Sequence, residues 1–412
     1  MRAAAADFPR PSDAKLVKAH PLRYITGHAA LGEFCRELRG ATRLGVDTEF
    51  VGEDTFVPRL ELVQIAAGDL SAVIDVPAVR SLDALWELLT DAGIEKVVHA
   101  GRQDLELIHA HAKQVPTPVF DTQMAAAMVG YGTQISYAQL VERVVGAKLA
   151  KSHTLTNWSH RPLTDEQLAY ALEDVLYLFQ VHDHLRHRLR TMGRQEWMQE
   201  EFARLTGSLT DGSRDPRQRY QRIKGWEGLK PQAASVLREL VAWRDDEARQ
   251  RNVPRGRIMR DEVLLQVARH IPKSPSALRS VRGLHGSQAE RYGEAIMEAV
   301  RRGLAVPAAE WPAVSKPRRP EPESIGQVEL LQAVLKARAA ELNMAPTLLA
   351  TSADLQAMIE GHQAGQSADL PLLQGWRREL AGNLLLEVLD GKIHLSIDPK
   401  NGRVNVTRVG EA

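Results

Sequence analysis

The stretch LGVDTEFVGED, Leu44–Asp54, opens as a buried strand and then sets two carboxylates, Asp47 and Glu49, two residues apart. Side chains alternate faces along a strand, so Asp47 and Glu49 share one face, while Leu44, Val46 and Phe50 take the other and can pack. Neighbouring carboxylates repel, and an ionised carboxylate is costly to strip of water unless something compensates. Two arrangements satisfy the pattern: an exposed edge where both groups stay hydrated, or a divalent cation held between them.

Around that strand, residues 20–207 read as one α/β domain. The short apolar runs TRLGVDTEF, LELVQIA, SAVIDV and KVVHA are expected strands. Short links between the first three favour antiparallel neighbours, because a parallel crossover needs about a dozen residues or more. SLDALWELLTDAG and RQDLELIHAHAK have helical periodicity, and VFDTQMAAAMVG leads into a largely helical remainder. A mixed sheet flanked by helices is the expected architecture, preceded by an extension over residues 1–19.

Past the α/β domain the pattern changes. Residues 208–227 form a polar connection rich in Gly, Ser and Arg, and residues 228–305 read as a helical module led by the amphipathic run LKPQAASVLRELVAWRDDEARQRNVP. A Pro-rich linker covers 306–324, a second helical unit spans 325–391, and the tail 392–412 alternates apolar and polar residues around PKNG, the pattern of a hairpin.

Bulk properties set limits on what the chain is. Its 412 residues are enough for two or three domains. No apolar run reaches the roughly 20 residues that cross a bilayer, and the start MRAAAADFPRPSDAK lacks the apolar core of a secretory signal. Cys35 is the only cysteine, which excludes an intramolecular disulfide and a thiolate metal cluster and fits a reducing cytoplasm. The net charge of +1 is unevenly spread: residues 208–302 hold 20 Lys and Arg against 12 Asp and Glu. A basic middle segment beside an acidic candidate site suggests a polyanionic partner, although solvated helices segregate charge in the same way.

Three further positions complete what Asp47 and Glu49 begin. VVHAGRQDLELI places Asp104 after a strand, at the first turn of a helix, where the helix dipole alone also accounts for a carboxylate. AYALEDVLYL places Tyr170 and Asp174 four apart, on one helix face. Each signal is weak singly; the ordered set is stronger, with four carboxylates and a phenol on separate elements that can converge on one sheet edge. Oxygen-rich ligation suits hard cations such as Mg²⁺ or Mn²⁺. Two such ions about 4 Å apart clamp the attacking and leaving oxygens of an in-line phosphoryl displacement.

With these residues in view the sequence resembles the ribonuclease D family, of the DEDD exonuclease superfamily with Tyr in the third motif. VDTEF matches the first motif, HAGRQDLE the second and YALEDVLYL the third, and FDTQMAAAMVGYG and KSHTLTNWSHRPLTDEQLAYALEDV are similar as well. RNVPRGRIMRDEVLLQVA resembles the helicase-and-ribonuclease-D C-terminal (HRDC) module, and LNMAPTLLAT with LLQGWRRELAG resembles a divergent second copy. The resemblance implies a ribonuclease H-like mixed-sheet exonuclease domain followed by two helical HRDC-like modules. It implies that Asp47, Glu49, Asp104 and Asp174 hold two divalent ions, with Asp47 bridging, Glu49 and Asp174 on one ion and Asp104 reaching the other. Glu49 is then also near the terminal 3′-hydroxyl, and Tyr170 positions the attacking water, as an orienting group rather than a base because a phenol titrates near 10.

The implied reaction is 3′→5′ hydrolysis of RNA to nucleoside 5′-monophosphates, on precursor tRNA and other small structured RNAs, by a cytoplasmic enzyme for which a monomer is favoured. Lys151, Arg255, Arg257 and Arg260 are candidates for phosphate contact. A DNA exonuclease on the same scaffold and a non-catalytic RNA-binding scaffold are the competing readings. His99, His153 and the tract HDHLRHR are read as structural or surface groups before ligands.

Overall fold

The computed structural model describes residues 22–52, 54–149, 156–210, 216–314, 322–365 and 369–410. The described residues of Met1–Glu49, Glu61–Leu209 and Pro320–Ala412 form one compact unit, and those of Phe50–Leu60 and Thr210–Arg319 form another.

Six strands make the sheet of the first unit: β1 (Tyr24–Ile25), β2 (Arg43–Val51), β3 (Arg59–Ala67), β4 (Leu70–Asp75), β5 (Glu95–Val98) and β6 (Val119–Asp121), in the order β1-β4-β3-β2-β5-β6. β3 and β4 are antiparallel, while β1 on β4, β2 on β5 and β5 on β6 are parallel, so the sheet is mixed as expected. The four expected strands form; β1 and β6 lie outside that set because two or three residues are too short to show alternation. Beyond Arg59, β3 is buried on both faces, which is why apolar residues fall on both sides of it. Leu44 and Val46 are fully buried on the face of β2 away from its carboxylates. The helices of this part are α1 (His28–Glu37), α2 (Asp83–Thr90), α3 (Arg102–Ala112), α4 (Thr122–Met128), α5 (Tyr137–Val144), α6 (Asp165–Leu176), α7 (Leu178–Thr191) and α8 (Gln195–Thr210). Ser136 and Thr164 open α5 and α6 with capping boxes, each satisfying two orphan backbone donors.

The second unit is helical, with α9 (Pro231–Arg251), α10 (Arg255–Ile258), α11 (Asp261–His270), α12 (Pro275–Arg279) and α13 (Gly286–Ala305) around one apolar core. α9 and α13 meet closely at Gly303, where a Cβ would stand 2.5 Å from the Val236 Cα, and Ser235 Oγ donates to the Gly303 carbonyl at 3.0 Å. Much of the positive charge of this segment is used internally. Glu239 pairs with Arg217, and buried Asp245 pairs with Arg219 and Arg255.

The C-terminal helices α14 (Pro322–Glu341), α15 (Pro346–Leu349), α16 (Ser352–Gln363), α17 (Gly375–Arg377) and α18 (Asn383–Leu389) belong to the first unit. They repeat the order of α9–α11: a long helix, an asparagine in the left-handed region (Asn252 φ 49°, Asn343 φ 48°), a single turn opened by a Pro and a third helix. Trp376 stacks on Trp197 of α8 with centroids 5.6 Å apart, Arg377 grips Glu201 through two hydrogen bonds, and the Gly130 backbone abuts Asn343. Strands β7 (Ile393–Ile397) and β8 (Val404–Arg408) form the expected hairpin about PKNG, with Leu395 opposite Val406.

Candidate metal centre

Asp47 and Glu49 on β2 and Asp174 on α6 each offer a carboxylate oxygen, and these atoms lie within 4.8 Å of one another. All three side chains are half-buried, so they crowd together with little water to screen them. Burial and the charges of Asp174 and Asp104 push Glu49 up to about 8. Burial and Glu173 push Asp174 up to about 7, while burial followed by Asp104, Asp174 and Glu49 holds Asp47 well above the ordinary carboxylate range. Carboxyls in this state take protons readily at neutral pH, and a divalent cation replaces those protons with a charge that satisfies all three. The donor set fits a hard cation, being oxygen-only and converging from two elements.

Asp104 sits beside this trio rather than in it. Its carboxylate accepts a hydrogen bond from the Thr48 hydroxyl, and burial raises it to about 6. Its charge nonetheless acts on Asp47, Glu49 and Asp174 alike. The turn that delivers Asp104 is tightly determined. Ala100 is left-handed at φ 54°, and a Cβ on Gly101 would stand 2.5 Å from Val98, so only glycine fits there. Buried Asp121, the N-cap of α4, accepts from the amides of Ala100, Gly101, Gln123 and Met124 at 2.8–3.2 Å and ties that turn to β6. Asp121 carries a local signal in the sequence, an Asp directly before a helical run, but nothing in that signal ties it to the β5–α3 turn.

Tyr170, one turn before Asp174 on α6, stacks against buried Trp158 with centroids 6.1 Å apart and planes at 27°. Trp158 is held in turn by Arg161, which donates to the Trp158 carbonyl and grips buried Asp75 at 2.6 and 3.1 Å. Burial, and then the neighbouring carboxylates, raise the Tyr170 phenol above its ordinary range. A second phenol, Tyr137, is half-buried in the field of Asp174 and Asp47 and accepts a hydrogen bond from the Tyr177 amide at the end of α6.

The other candidates fall elsewhere. Lys151 and His153 lie outside the described residues. His99 is an internal strut: burial lowers it to about 4, and its ring nitrogens meet Thr122 and the Ile135 carbonyl. In the HDHLRHR tract, His182 is buried between Glu95 and Asp183, and His184 meets Tyr131. Within the second unit Arg255 pairs with Asp245 and covers the Phe56 ring at 4.2 Å, and Arg257 pairs with Asp54 at 2.7 Å. Arg260 is exposed at the N-cap of α11. Among the described residues no helix is long and apolar enough to cross a membrane.

Known proteins are similar to this chain in sequence and fold. A family model described as 3′-5′ exonuclease matches residues 22–190, and an HRDC domain model matches residues 233–300. The ribonuclease D of Nitrobacter hamburgensis is 38% identical over 382 residues, 92% of this chain and 98% of its own. That of Pseudomonas paraeruginosa is 37% identical over 377 residues, 91% of this chain and 99% of its own. The crystal structure of Escherichia coli RNase D, described as an exoribonuclease involved in structured RNA processing, superposes with a TM-score of 0.80 at 28% identity, covering 90% of this chain and 99% of that one. With its acidic centre on the sheet of a 3′-5′ exonuclease domain, an HRDC domain beyond it and likeness along nearly the full length of these relatives, the chain belongs to the ribonuclease D family.

Proposed function

We propose that the protein is a divalent-metal-dependent 3′→5′ exoribonuclease that trims the 3′ ends of precursor tRNA and other small structured RNAs in the cytoplasm, acting as a monomer. The observation that carries the reading is the meeting of Asp47, Glu49 and Asp174 within 4.8 Å, with Asp104 in their field. These four carboxylates are the residues that hold the ions, Mg²⁺ or Mn²⁺. When bound, such ions supply Lewis acidity at the scissile phosphate and offset the charge that develops on its oxygens.

The protein groups do the rest. Thr48 orients Asp104, and Asp121 holds the turn on which it stands. The Tyr170 phenol stays protonated, so its hydroxyl orients the attacking water and does not remove its proton. Glu49 also lies near the terminal 3′-hydroxyl of the substrate. The repeated helix order and the paired left-handed asparagines support reading residues 325–391 as a divergent second HRDC-like module. Because Arg255 and Arg257 are engaged in ion pairs, Arg260 is the strongest of the three for direct phosphate contact.

The test is digestion of a 3′-extended tRNA transcript, with matched DNA and RNA oligonucleotides alongside, with and without Mg²⁺. Wild type should release nucleoside 5′-monophosphates from RNA only with metal, and Asp47→Ala should abolish hydrolysis while still binding RNA in chelator. Equal rates on DNA favour the DNA exonuclease, and wild-type rates in Asp47→Ala refute the site.

A further inference from the structure

Gln64 on β3 is a fully buried side chain, and among the described residues neither its Nε2 nor its Oε1 has a hydrogen-bond partner. Leaving a buried amide unpaired costs about 1–3 kcal/mol, and native structures keep few such groups without a reason.

Its position suggests the reason. β2 and β3 are adjacent, and the connection over residues 52–58 is too short for a parallel crossover, so the two strands are antiparallel. A Cβ on Gly45 would stand 3.6 Å from the Ala66 Cβ and 3.5 Å from the Val175 carbonyl, which sets Gly45 and Ala66 side by side on the face covered by α6. Pairing of Leu62–Ala67 with β4 is unbroken, so side-chain alternation holds along β3. Gln64 therefore shares the face of Ala66, and Asp47 shares that of Gly45. Two residues along an antiparallel pair, Gln64 becomes the cross-strand neighbour of Asp47, a relation that brings Cβ atoms to about 4.5–5.5 Å.

We propose that Gln64 is a positioning residue of the metal centre, whose Nε2 donates to the Asp47 carboxylate when that group is ionised around divalent cations. A donor of this kind fixes which carboxylate oxygen faces the cations, as outer hydrogen-bond partners do at metal sites generally. The proposal rests on the reading of the carboxylates as metal ligands. One rival account is on the same face: Ser71 Oγ, buried and without a partner among the described residues, sits opposite Ala66 on β4. A water shared by Ser71 and Gln64 would satisfy both with no link to the cations.

The experiment compares wild type, Gln64→Leu, Gln64→Met and Asp47→Ala, by calorimetric titration with Mn²⁺ in the absence of RNA and by thermal melting in chelator. Gln64→Leu should bind Mn²⁺ about 10-fold more weakly or worse, while its melting temperature in chelator is unchanged or raised, because an unpaired amide has been removed. In turnover, kcat should fall with KM for RNA unchanged. Wild-type Mn²⁺ affinity in a folded Gln64→Leu overturns the proposal and favours the shared water. If that variant does not fold, Gln64→Met is held to the same criterion. Should wild type bind no Mn²⁺, or bind it as Asp47→Ala does, the metal reading itself fails; otherwise only the role of Gln64 is in question.

Discussion

Tyr170 and the carboxylates around it give the sharpest expectations at the scale of single residues. Tyr170→Phe keeps the ring that stacks on Trp158 and removes only the hydroxyl. If that hydroxyl orients the attacking water, kcat should fall by about 10²-fold, with RNA and metal affinities unchanged. A Phe variant of wild-type rate would remove Tyr170 from the chemistry. The carboxylates also make a pH prediction. Glu49 at about 8, Asp174 at about 7 and Asp104 at about 6 all titrate above an unfolded carboxyl, near 4. Between its unfolded and folded values each group binds more protons in the folded chain, so stability without metal is full below the unfolded value and falls as pH rises through the folded one. Melting temperature in chelator should therefore decline from mildly acid to mildly alkaline pH. Stabilisation by added Mg²⁺ should grow over the same window, because binding needs the ionised forms. A metal-induced shift that does not change with pH would show that these groups are not the ligands.

At the scale of elements, short-range geometry does much of the positioning. The β5–α3 turn combines a left-handed Ala100, a Gly101 pressed on Val98 and the four-amide grip of Asp121, and together they aim Asp104. Helix packing in the second unit relies on a similar close approach. In Gly303→Ala the added methyl meets the Val236 Cα at 2.5 Å, so α9 and α13 must separate. Urea denaturation should show a loss of about 1–3 kcal/mol; an unaltered midpoint would mean that the pair relaxes freely. The basic composition of this segment pointed to a polyanionic partner, yet Glu239 and Asp245 draw several of its arginines into internal pairs. Charge counted along the chain thus overstates the charge offered at the surface.

At the scale of the molecule, the C-terminal helices are part of the unit that bears the sheet. Glu201 and Arg377, each about nine-tenths buried, hold them there beside the Trp197–Trp376 stack. Glu201→Gln preserves shape but leaves the Arg377 charge uncompensated, at a cost of about 3 kcal/mol. Early loss of the Trp signal on heating should report it. A variant with the wild-type melting curve would show that the stack alone secures the helices.

Local pattern by itself determined a large part of this protein. The DxE strand, the apolar runs of β3–β5, the YxxxD helix and the terminal hairpin are encoded by alternation and by 3.6-residue spacing, which act over a few residues. Tertiary structure decided the remainder. β1 and β6 are too short to carry a period. Thr48 and Asp121 gain their roles from neighbours far along the chain, as in the 56 residues between Thr48 and Asp104. Arg255 and Arg257 were indistinguishable from free cations until folding brought Asp245 and Asp54 to them. Ion pairs and cross-strand contacts depend on proximity in space, and proximity across such separations is set by how strands and helices pack.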